Sequence, residues 1–555
     1  MESSTPRTDQ PAMYTELWTG WFQHWGQPKF TRFAEDTAFS AARFIAKGGT
    51  YLGYYMWHGG TNFGRWGSDF KTTSYDYDAM LNEYGFPNNP KHNHIVDLNH
   101  VLLKFKHLIL DNTPKHIPLG SPSVEAHIYG NSASESLVFI SNNSTSNDIE
   151  VSIDFLGGSR RTMVLPHWSV LIYHSTSNSY ELVFNTVSPR PSAHSMKPLQ
   201  IEHSSSKLKQ ESIALMRIRP ETSDLRVNAH VSAISYIEEP IGIWNYSLAT
   251  LNAHPIEHIK ATQYTSDYLW YVCEEITLSR KDTKIRVEIE GLEDIGYVYF
   301  DGIRLNQQPI VRRESDKDKS VTIEFDGVDH RIREHKLSLL VAVVGLTELG
   351  VYIERIHKGL RGAVKINGID ISNGKWFHQT GLLGENQMYH LGSKSLTPSM
   401  WKSFETAQFK DTSLTWFRVL FPKRDLLVMQ KKAIQTYIHS ATHSRSFGTG
   451  IEPISAFVLN LGTMSRGIAF VNGNGVQRFW NLKAVCENVS CHYPDGISDP
   501  IEGERCAVGC GYASQSWYNV PTAWIEDSGW DDVEVVVFDE AGGNPSGISI
   551  AAIVG

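Results

Sequence analysis

The sequence has little that would mark a membrane protein or a nucleic-acid-binding protein. No apolar run approaches the roughly 20 residues that a membrane-spanning helix needs. The longest run is LSLLVAVVGL, from Leu337 to Leu346, and its β-branched residues indicate a buried strand. The formal net charge is −9, whereas nucleic acids and anionic membranes attract basic surfaces. We therefore expect neither a nucleic-acid partner nor a membrane partner.

Cysteine is also scarce, with five residues in 555. Four of them cluster near the C-terminus, and Cys273 stands alone; the cluster consists of Cys486, Cys491, Cys506 and Cys510. Zinc sites favour paired C-x-x-C spacings, but the gaps in this cluster are four, fourteen and three residues. We expect two disulfides in one of three pairings, with zinc as the alternative. Cys273 is predicted to be a buried free thiol.

The N-terminal stretch MESSTPRTDQPAM contains no apolar core and does not form a secretory signal. Two other features are nevertheless typical of proteins outside the cytosol. One is the cysteine cluster; the other is a set of Asn-x-Ser/Thr acceptor sequences, which begin at Asn142, Asn143, Asn245 and Asn488. The combination favours a secreted protein whose signal peptide is not present in this chain.

The N-terminal region, over 1–115, follows the order strand, helix, strand, helix. Between positions 33 and 49 the apolar side chains have helical spacing, in a stripe of Ala38, Phe39, Ala42, Ile45 and Ala46. A second helix is predicted over 94–110. This order is typical of a (β/α)₈ barrel, but a whole barrel takes about 250 residues. The region 1–115 is therefore interpreted as a partial barrel of two β/α units.

The rest of the chain is predicted to be mainly antiparallel β-structure. Alternating runs indicate a small β-domain over 116–180. Ser- and Pro-rich sequence indicates a linker and connecting segment over 181–262. Asp-Gly and Asn-Gly pairs between β-prone flanks predict hairpins, at Asp301, Asn367 and Asn472. Many short strands at this spacing predict β-sandwiches or jelly rolls over 263–555.

A carboxylate beside closely spaced aromatic side chains is the main candidate for chemistry. Glu16 is followed by Trp18, Trp21 and Trp25. A carboxylate can attack or stabilise an anomeric carbon, and flat rings cover the apolar face of a sugar. The pattern therefore favours a sugar-cleaving site.

Three longer motifs strengthen this interpretation. TELWTGWFQHWG, YYMWHGGTNFGR and TSYDYDAMLNEYG occur in this order between Thr15 and Gly85. Together with the sequence from Gly511 to Pro521, these motifs resemble glycoside hydrolase family 35, the plant-type β-galactosidases. The resemblance implies a multi-domain α/β plus all-β protein. Its first part would be a C-terminal remnant of a (β/α)₈ barrel, the last two β/α units over 1–115, lacking the N-terminal part of that barrel. Antiparallel β-sandwich and jelly-roll domains would follow, with a jelly-roll-like domain over 263–400 and a galactose-binding-like jelly roll over 401–555.

The resemblance also implies the reaction and its residues. Members of the family release terminal non-reducing β-D-galactose with retention of configuration. The residue matching the family's nucleophile is Glu16. Tyr55, Tyr77 and Tyr75 match substrate-binding positions, and no cofactor or metal is implied.

The acid/base glutamate of the family lies upstream of the nucleophile and is absent from this chain. Glu83, in the motif NEYG, resembles that acid/base locally but lies well downstream of Glu16, so we predict a loop residue at the mouth of the site. The chain as given is expected to be inactive.

The implied partner is a galactose-terminated oligo- or polysaccharide. The implied protein is a monomer in the extracellular space, cell wall or vacuole. Two departures, Phe470 and the Gln477-Arg478 pair, put sugar binding by the last domain in doubt. The alternative function is a non-catalytic carbohydrate-binding or scaffold protein.

Overall fold

The computed structural model is built mainly from β-sheets, with few helices. It describes residues 10–131, 134–154, 160–187, 229, 231–279, 282–312, 320–326, 331–348, 353–405, 413–443, 453–485, 506–527 and 529–555. Every structural statement below concerns these residues.

The first unit contains a parallel pair of strands covered by helices. Its elements are β1 (Ala12–Trp18), β2 (Lys29–Thr31), α1 (Ala34–Ala46), β3 (Gly49–Tyr55), α2 (Lys91–Lys104) and α3 (Lys106–Asp111). Strand β1 pairs only with β3, and β3 only with β1, among the described strands. The predicted α1 stripe is buried, from Ala38 to Ala46, against Leu17 and Met80. The predicted second helix is two helices, because the chain leaves helical geometry at the buried Phe105.

The second unit is a sheet that packs on those helices. Its strands are β4 (Lys115–Pro118), β5 (Val124–Asn131), β6 (Glu135–Asn142), β7 (Ile149–Asp154), β8 (Arg160–Leu165), β9 (Ser169–Thr176) and β10 (Tyr180–Asn185). The sheet order is β10-β9-β6-β5-β4, and β7 pairs with β8. One face contributes Tyr129, Phe139 and Ile172 to the helical core. The other face packs on Val151 and Ile153 of β7.

The third unit contains two antiparallel sheets. Strand β11 (Ala233–Glu238) comes before it in the chain and belongs to a sheet of the last unit. The elements of the third unit are β12 (Thr250–Asn252), α4 (His258–Thr262), β13 (Tyr268–Ile276), β14 (Lys284–Ile289), β15 (Asp294–Phe300), β16 (Ile303–Arg304), β17 (Ile310–Arg312), β18 (Val321–Asp326), β19 (His335–Ala342), β20 (Val364–Ile366), β21 (Ile369–Asp370), β22 (Trp376–Thr380) and α5 (Leu383–Asn386). The sheet β12-β22-β13-β19-β15-β16, with β17 beside β15, faces the sheet β18-β14-β20-β21. Two predicted hairpins are confirmed as β15–β16 and β20–β21.

The last unit is a second pair of sheets with one long helix. Its elements are β23 (Lys402–Ser403), β24 (Thr415–Pro422), α6 (Lys423–His443), β25 (Ser455–Asn460), β26 (Arg466–Val471), β27 (Asn474–Trp480), β28 (Cys506–Val508), β29 (Trp517–Val520), α7 (Thr522–Glu526), β30 (Asp532–Asp539) and β31 (Ser549–Val554). The sheet β23-β11-β24-β30-β26-β27 packs on β29-β25-β31. The third predicted hairpin is confirmed as β26–β27.

The segment 181–262, predicted to be a linker and connecting segment, contributes strands to the sheets. Strand β10 is an edge of the second unit, β11 pairs with β24 along its whole length, and β12 pairs with β22. The sequence signal was weak because these strands are short and lie at or near sheet edges. Residues 188–228, the most Ser- and Pro-rich part, lie outside the described residues. The domain boundaries themselves stay predictions.

Two further predictions concern hydrophobic segments and cysteine. The apolar run from Leu337 is strand β19, whose side chains are largely buried. In the part of the chain that the structure describes, no helix has the length and apolar character to cross a membrane. Cys273 is free and buried on β13, as predicted. Cys486 and Cys491 lie outside the described residues, and the pairing of the cluster stays a prediction.

Candidate active site

The candidate nucleophile lies on an irregular part of strand β1. From the pair Tyr14–Leu52 to the pair Leu17–Tyr54, β1 advances by three residues and β3 by two. Such a bulge redirects a side chain, and bulges are common beside active sites. Glu16 lies inside it and is exposed. Trp18 Nε1 donates a hydrogen bond to Glu16 Oε2 at 3.1 Å.

A cluster of aromatic rings surrounds the carboxyl-terminal ends of β1 and β3. Trp18 forms a cross-strand pair with Tyr55, the last residue of β3. Ring centroids are 5.4 Å apart for Tyr55 and Tyr77, and 5.5 Å apart for Tyr75 and Tyr77. The Trp21 ring packs against both Trp18 and Tyr77, with ring centroids 4.9 Å and 5.9 Å apart. The structure therefore brings together all four predicted site residues.

The pKa values of Tyr75 and Tyr77 depend on burial and on their neighbours, which include Glu16. Burial raises the pKa of the Tyr75 hydroxyl, and its hydrogen bond with Tyr55 and the negative charge of Glu16 raise it further. Burial also raises the pKa of Tyr77, and Tyr75, Tyr55 and Glu16 add to the shift. All these contributions disfavour a phenolate. Tyr75 and Tyr77 are therefore neutral hydroxyls that can donate hydrogen bonds.

Two glycines set the position of the loop between β3 and α2, residues 56–90, which carries Tyr75 and Tyr77. We call it the tyrosine loop. A Cβ atom added to Gly20 would lie 1.8 Å from the carbonyl oxygen of Tyr77, and one added to Gly59 would lie 1.6 Å from that of Tyr75. Only glycine permits so close an approach of two backbones. Both glycines belong to the quoted motifs, which is the signal that could have identified them. The sequence analysis did not assign them a role.

A buried ion pair anchors the same loop. Lys91, the first residue of α2, donates to Asp78 Oδ2 at 2.6 Å and to the Thr19 carbonyl at 2.9 Å. Both charged side chains are about 4% exposed. Asp78 directly follows Tyr77, and Thr19 directly follows Trp18, so the pair joins the end of β1 to the tyrosine loop. The sequence offered no local signal for this contact.

Glu83 lies in different surroundings from Glu16. Glu83 is 6% exposed, and its Oε1 atom accepts a hydrogen bond from Thr61 Oγ1 at 2.8 Å. Burial raises its pKa to about 7, against the lowering effect of hydrogen bonds from Ser74 and Thr61. The Glu83 charge acts on Tyr84 and Tyr518, whereas the Glu16 charge acts on Tyr75 and Tyr77. Glu83 thus lies between the loop and the last unit of the chain.

The last unit also holds this loop by hydrogen bonds. Thr73 Oγ1 donates to the Arg478 carbonyl at 2.6 Å, and the Ser74 amide donates to Gln515 Oε1 at 2.8 Å. Asn519 Nδ2 donates to Thr61 Oγ1 at 3.1 Å. The guanidinium of Arg478 forms two hydrogen bonds with the buried carboxylate of Asp267. Arg478 is therefore a structural residue that also contacts the loop.

One group of side chains in the described part of the chain has the composition of a metal site. It consists of His116, Glu125 and His127. Glu125 contacts Lys47, which lies just before β3 begins. This group therefore lies near the start of β3, about 20 Å of strand from Tyr55. It is separate from the candidate active site.

Comparisons with known proteins agree with the quoted motifs. The profile of glycosyl hydrolases family 35 matches residues 2–102. Three curated plant proteins match over nearly the whole chain. Beta-galactosidase 10 of Arabidopsis thaliana is 31% identical over 99% of this chain and 66% of its own length. Beta-galactosidase 3 of Oryza sativa subsp. japonica is 31% identical over 98% and 56%, and Beta-galactosidase 8 of Arabidopsis thaliana is 30% identical over 99% and 57%.

The chain thus spans between 56% and 66% of the length of these relatives. Among solved structures, α-L-rhamnosidase from Dictyoglumus thermophilum aligns with 80% of this chain and 48% of its own, at 9% identity and a TM-score of 0.16. A score that low carries no argument about the fold. The similarity to the plant proteins and the family profile identify the chain as a β-galactosidase-like protein of glycosyl hydrolases family 35.

Proposed function

We propose that this chain carries the nucleophile half of a retaining β-galactosidase site, which acts on terminal non-reducing β-D-galactose of glycans or wall polysaccharides. In such a site one carboxylate attacks the anomeric carbon and forms a covalent galactosyl ester, and a second carboxyl group protonates the leaving oxygen. Glu16 is the proposed nucleophile. The supporting observation is the cluster of Glu16 with Tyr55, Tyr75 and Tyr77 at the ends of β1 and β3.

Each side chain has a role that follows from its chemistry. Glu16 Oε1 is the proposed attacking atom, because Oε2 accepts the hydrogen bond from Trp18. The neutral hydroxyls of Tyr75 and Tyr77 can donate to sugar oxygens or to the carboxylate. Trp18 and Trp21 form an apolar wall beside them. We further propose that β1 and β3 are the last two strands of a (β/α)₈ barrel, which places the site at the carboxyl ends of the strands.

The acid/base is not among the residues gathered around Glu16. General acid catalysis contributes about 10²- to 10⁴-fold in rate. We therefore propose that the chain as given does not turn over a nitrophenyl β-galactoside. The proposed setting is extracellular, in the cell wall or vacuole, and the proposed oligomeric state is a monomer.

A covalent trap tests the nucleophile without needing the acid. In dinitrophenyl 2-deoxy-2-fluoro-β-galactoside the leaving dinitrophenolate departs with its electron pair and requires no proton. Attack by Glu16 forms an ester at C1, and the fluorine slows its hydrolysis. Peptide mass spectrometry should find the fluorogalactosyl group on Glu16, and Glu16→Gln should abolish the label. Glu83→Gln is the matched control and should keep it.

The outcomes separate the proposed function from its alternative. A label on another carboxylate would overturn the assignment of Glu16. A folded chain that stays unlabelled but binds galactose-terminated glycan would favour the non-catalytic carbohydrate-binding or scaffold protein. Robust turnover of the nitrophenyl galactoside by the chain as given would show that it contains an acid/base after all.

A further inference from the structure

Two histidines and a glutamate converge on one face of the β4–β5 strand pair. His116 and His127 lie directly opposite each other in the antiparallel register, so their side chains point to the same face. Glu125 precedes His127 by two residues on β5 and therefore shares that face. The His116 and His127 ring centroids are 5.0 Å apart. The candidate ligand atoms of all three residues lie within 4.8 Å of one another.

His127 is the observation that calls for a ligand. The residue is 6% exposed, and its buried Nδ1 has no hydrogen-bond partner among the described residues. A buried polar atom without a partner costs free energy, and such atoms are rare in folded proteins. Aliphatic and aromatic side chains serve this position in a sheet equally well. A buried imidazole beside a second imidazole and a carboxylate is instead the donor set of a metal site.

Glu125 is already oriented towards the two imidazoles. Three donors contact its Oε1: Arg43 Nη2 at 3.1 Å, Lys47 Nζ at 3.3 Å and Asn143 Nδ2 at 3.5 Å. Its other oxygen, Oε2, lies 3.5 Å from His116 Nε2. Outer partners that fix a carboxylate in this way are typical of metal ligands. The donors thus leave Oε2 available on the side of the histidines.

We propose that His116, Glu125 and His127 bind one Zn²⁺ ion, with a water molecule as the fourth ligand. Two imidazole nitrogens and a carboxylate oxygen suit this ion. Tetrahedral bonds of about 2.0–2.1 Å place ligand atoms about 3.4 Å apart. Ligand atoms that lie up to 4.8 Å apart must therefore approach each other by up to about 1.4 Å. His116 Nε2 and Glu125 Oε2 are already 3.5 Å apart, and the exposed His116 side chain can adjust its position relative to His127. The ion would join β4 to β5, and Glu125 would connect it to Arg43 of α1. Its role would be structural, because the site lies far from Glu16.

Cobalt titration of the full chain tests this proposal. No reductant is added, so that the clustered cysteines stay oxidised and cannot bind metal as thiolates. We expect one Co²⁺ per chain with visible d–d absorption and no thiolate charge-transfer band, displaced by one Zn²⁺. The double variant His116→Gln/His127→Gln should lose this absorption. The single variant His116→Gln should bind at least ten-fold more weakly.

The chain offers a matched control, a second pair of histidines beside a glutamate, with His174 on the same sheet and His107 on α3. His174 Nε2 lies 2.8 Å from Glu135 Oε1, and His107 Nε2 lies 3.5 Å from Glu135 Oε2. Each histidine contacts a different carboxylate oxygen of Glu135, so the three side chains do not converge on one point and do not form a metal-binding group. The variant His107→Gln/His174→Gln should bind Co²⁺ like the unaltered chain.

Three results would overturn the proposal. They are no Co²⁺ binding by the unaltered chain, equal binding by His116→Gln/His127→Gln, or a thiolate charge-transfer band that tracks the cysteines. If the double variant does not fold, His116→Gln decides the test, because the exposed His116 is dispensable for packing. Circular dichroism and thermal melting without metal establish that each variant is folded.

Discussion

The pH dependence of stability should contain a measurable contribution from Glu83. Burial raises the pKa of this carboxyl from 4.5 to about 7. The folded chain therefore holds a proton on Glu83 that the unfolded chain releases between these two values. This stabilisation is fully present below pH 4.5 and is lost as the pH rises through 7. Each pKa unit corresponds to about 1.4 kcal/mol, so the loss is about 3 kcal/mol.

Glu83→Gln isolates this contribution. Glutamine has the same shape, stays neutral, and can exchange hydrogen bonds with the hydroxyls of Thr61 and Ser74. Other buried carboxyls with raised pKa values, Glu239 and Glu385, give both proteins a similar background slope. The informative quantity is therefore the difference between the unfolding free energies of the two proteins. We expect this difference to shift in favour of the variant by about 3 kcal/mol between pH 4.5 and pH 8.

Urea unfolding, followed by tryptophan fluorescence at several pH values, measures this difference. The control is Glu150→Gln on β7, where the side chain is exposed, and its curve should stay parallel to that of the unaltered chain. Parallel curves for Glu83→Gln as well would refute the reasoning, because they would mean that Glu83 is not protonated in the folded protein near neutral pH.

Three other perturbations test the site and the thiols. Lys91→Met removes the cationic partner of the buried Asp78 and should destabilise the first unit by about 3–5 kcal/mol in urea unfolding; exposed Lys106→Met is the control, and an equal effect of the two would contradict the pairing. Gly20→Ala should push Tyr77 away from Glu16 and slow covalent labelling by about 100-fold. Gly475→Ala is the control and should not slow it, because the nearest atom to the added Cβ would be 3.6 Å away. Equal labelling rates for the two variants would argue against the close approach at Gly20. Burial raises the pKa of Cys273 to about 11, so iodoacetamide should modify it at pH 8 only after unfolding. Non-reducing mass spectrometry of the secreted protein should then find one alkylatable thiol, and five reduced thiols with bound zinc would reverse the assignment.

Local patterns in the sequence predicted local structure well. Helix α1 follows from the stripe between Ala38 and Ala46, and the three hairpins follow from Asp-Gly and Asn-Gly pairs, because each signal is short in sequence. The break between α2 and α3 did not follow, since burial of Phe105 depends on strands far along the chain. The assignment of 181–262 as connecting sequence missed β11 for the same reason: its partner β24 is distant in sequence, and the pairing joins Ala233 to Leu420.

For the candidate site too, short motifs identified individual residues but not the contacts that position them. Glu16, Tyr55, Tyr75 and Tyr77 were named from motifs, and the structure brings them together, although their roles stay predictions. The contacts that position them were not foreseen. The Lys91–Asp78 pair, the close approach at Gly20, and the surroundings of Glu83 all depend on three-dimensional packing that no short motif records.

The hydrogen bonds between the tyrosine loop and the last unit have a consequence for biosynthesis. Thr73 and Arg478 are 405 residues apart, and Thr61 and Asn519 are 458 apart. A ribosome that adds about 5–20 residues per second therefore exposes the loop for tens of seconds before its partners emerge. During that interval the loop has no support from β27 or β29, and chaperones or proteases can reach it. Substitutions near Arg478 and Asn519 should consequently lower the yield of correctly assembled sites, although both residues lie in the final fifth of the chain.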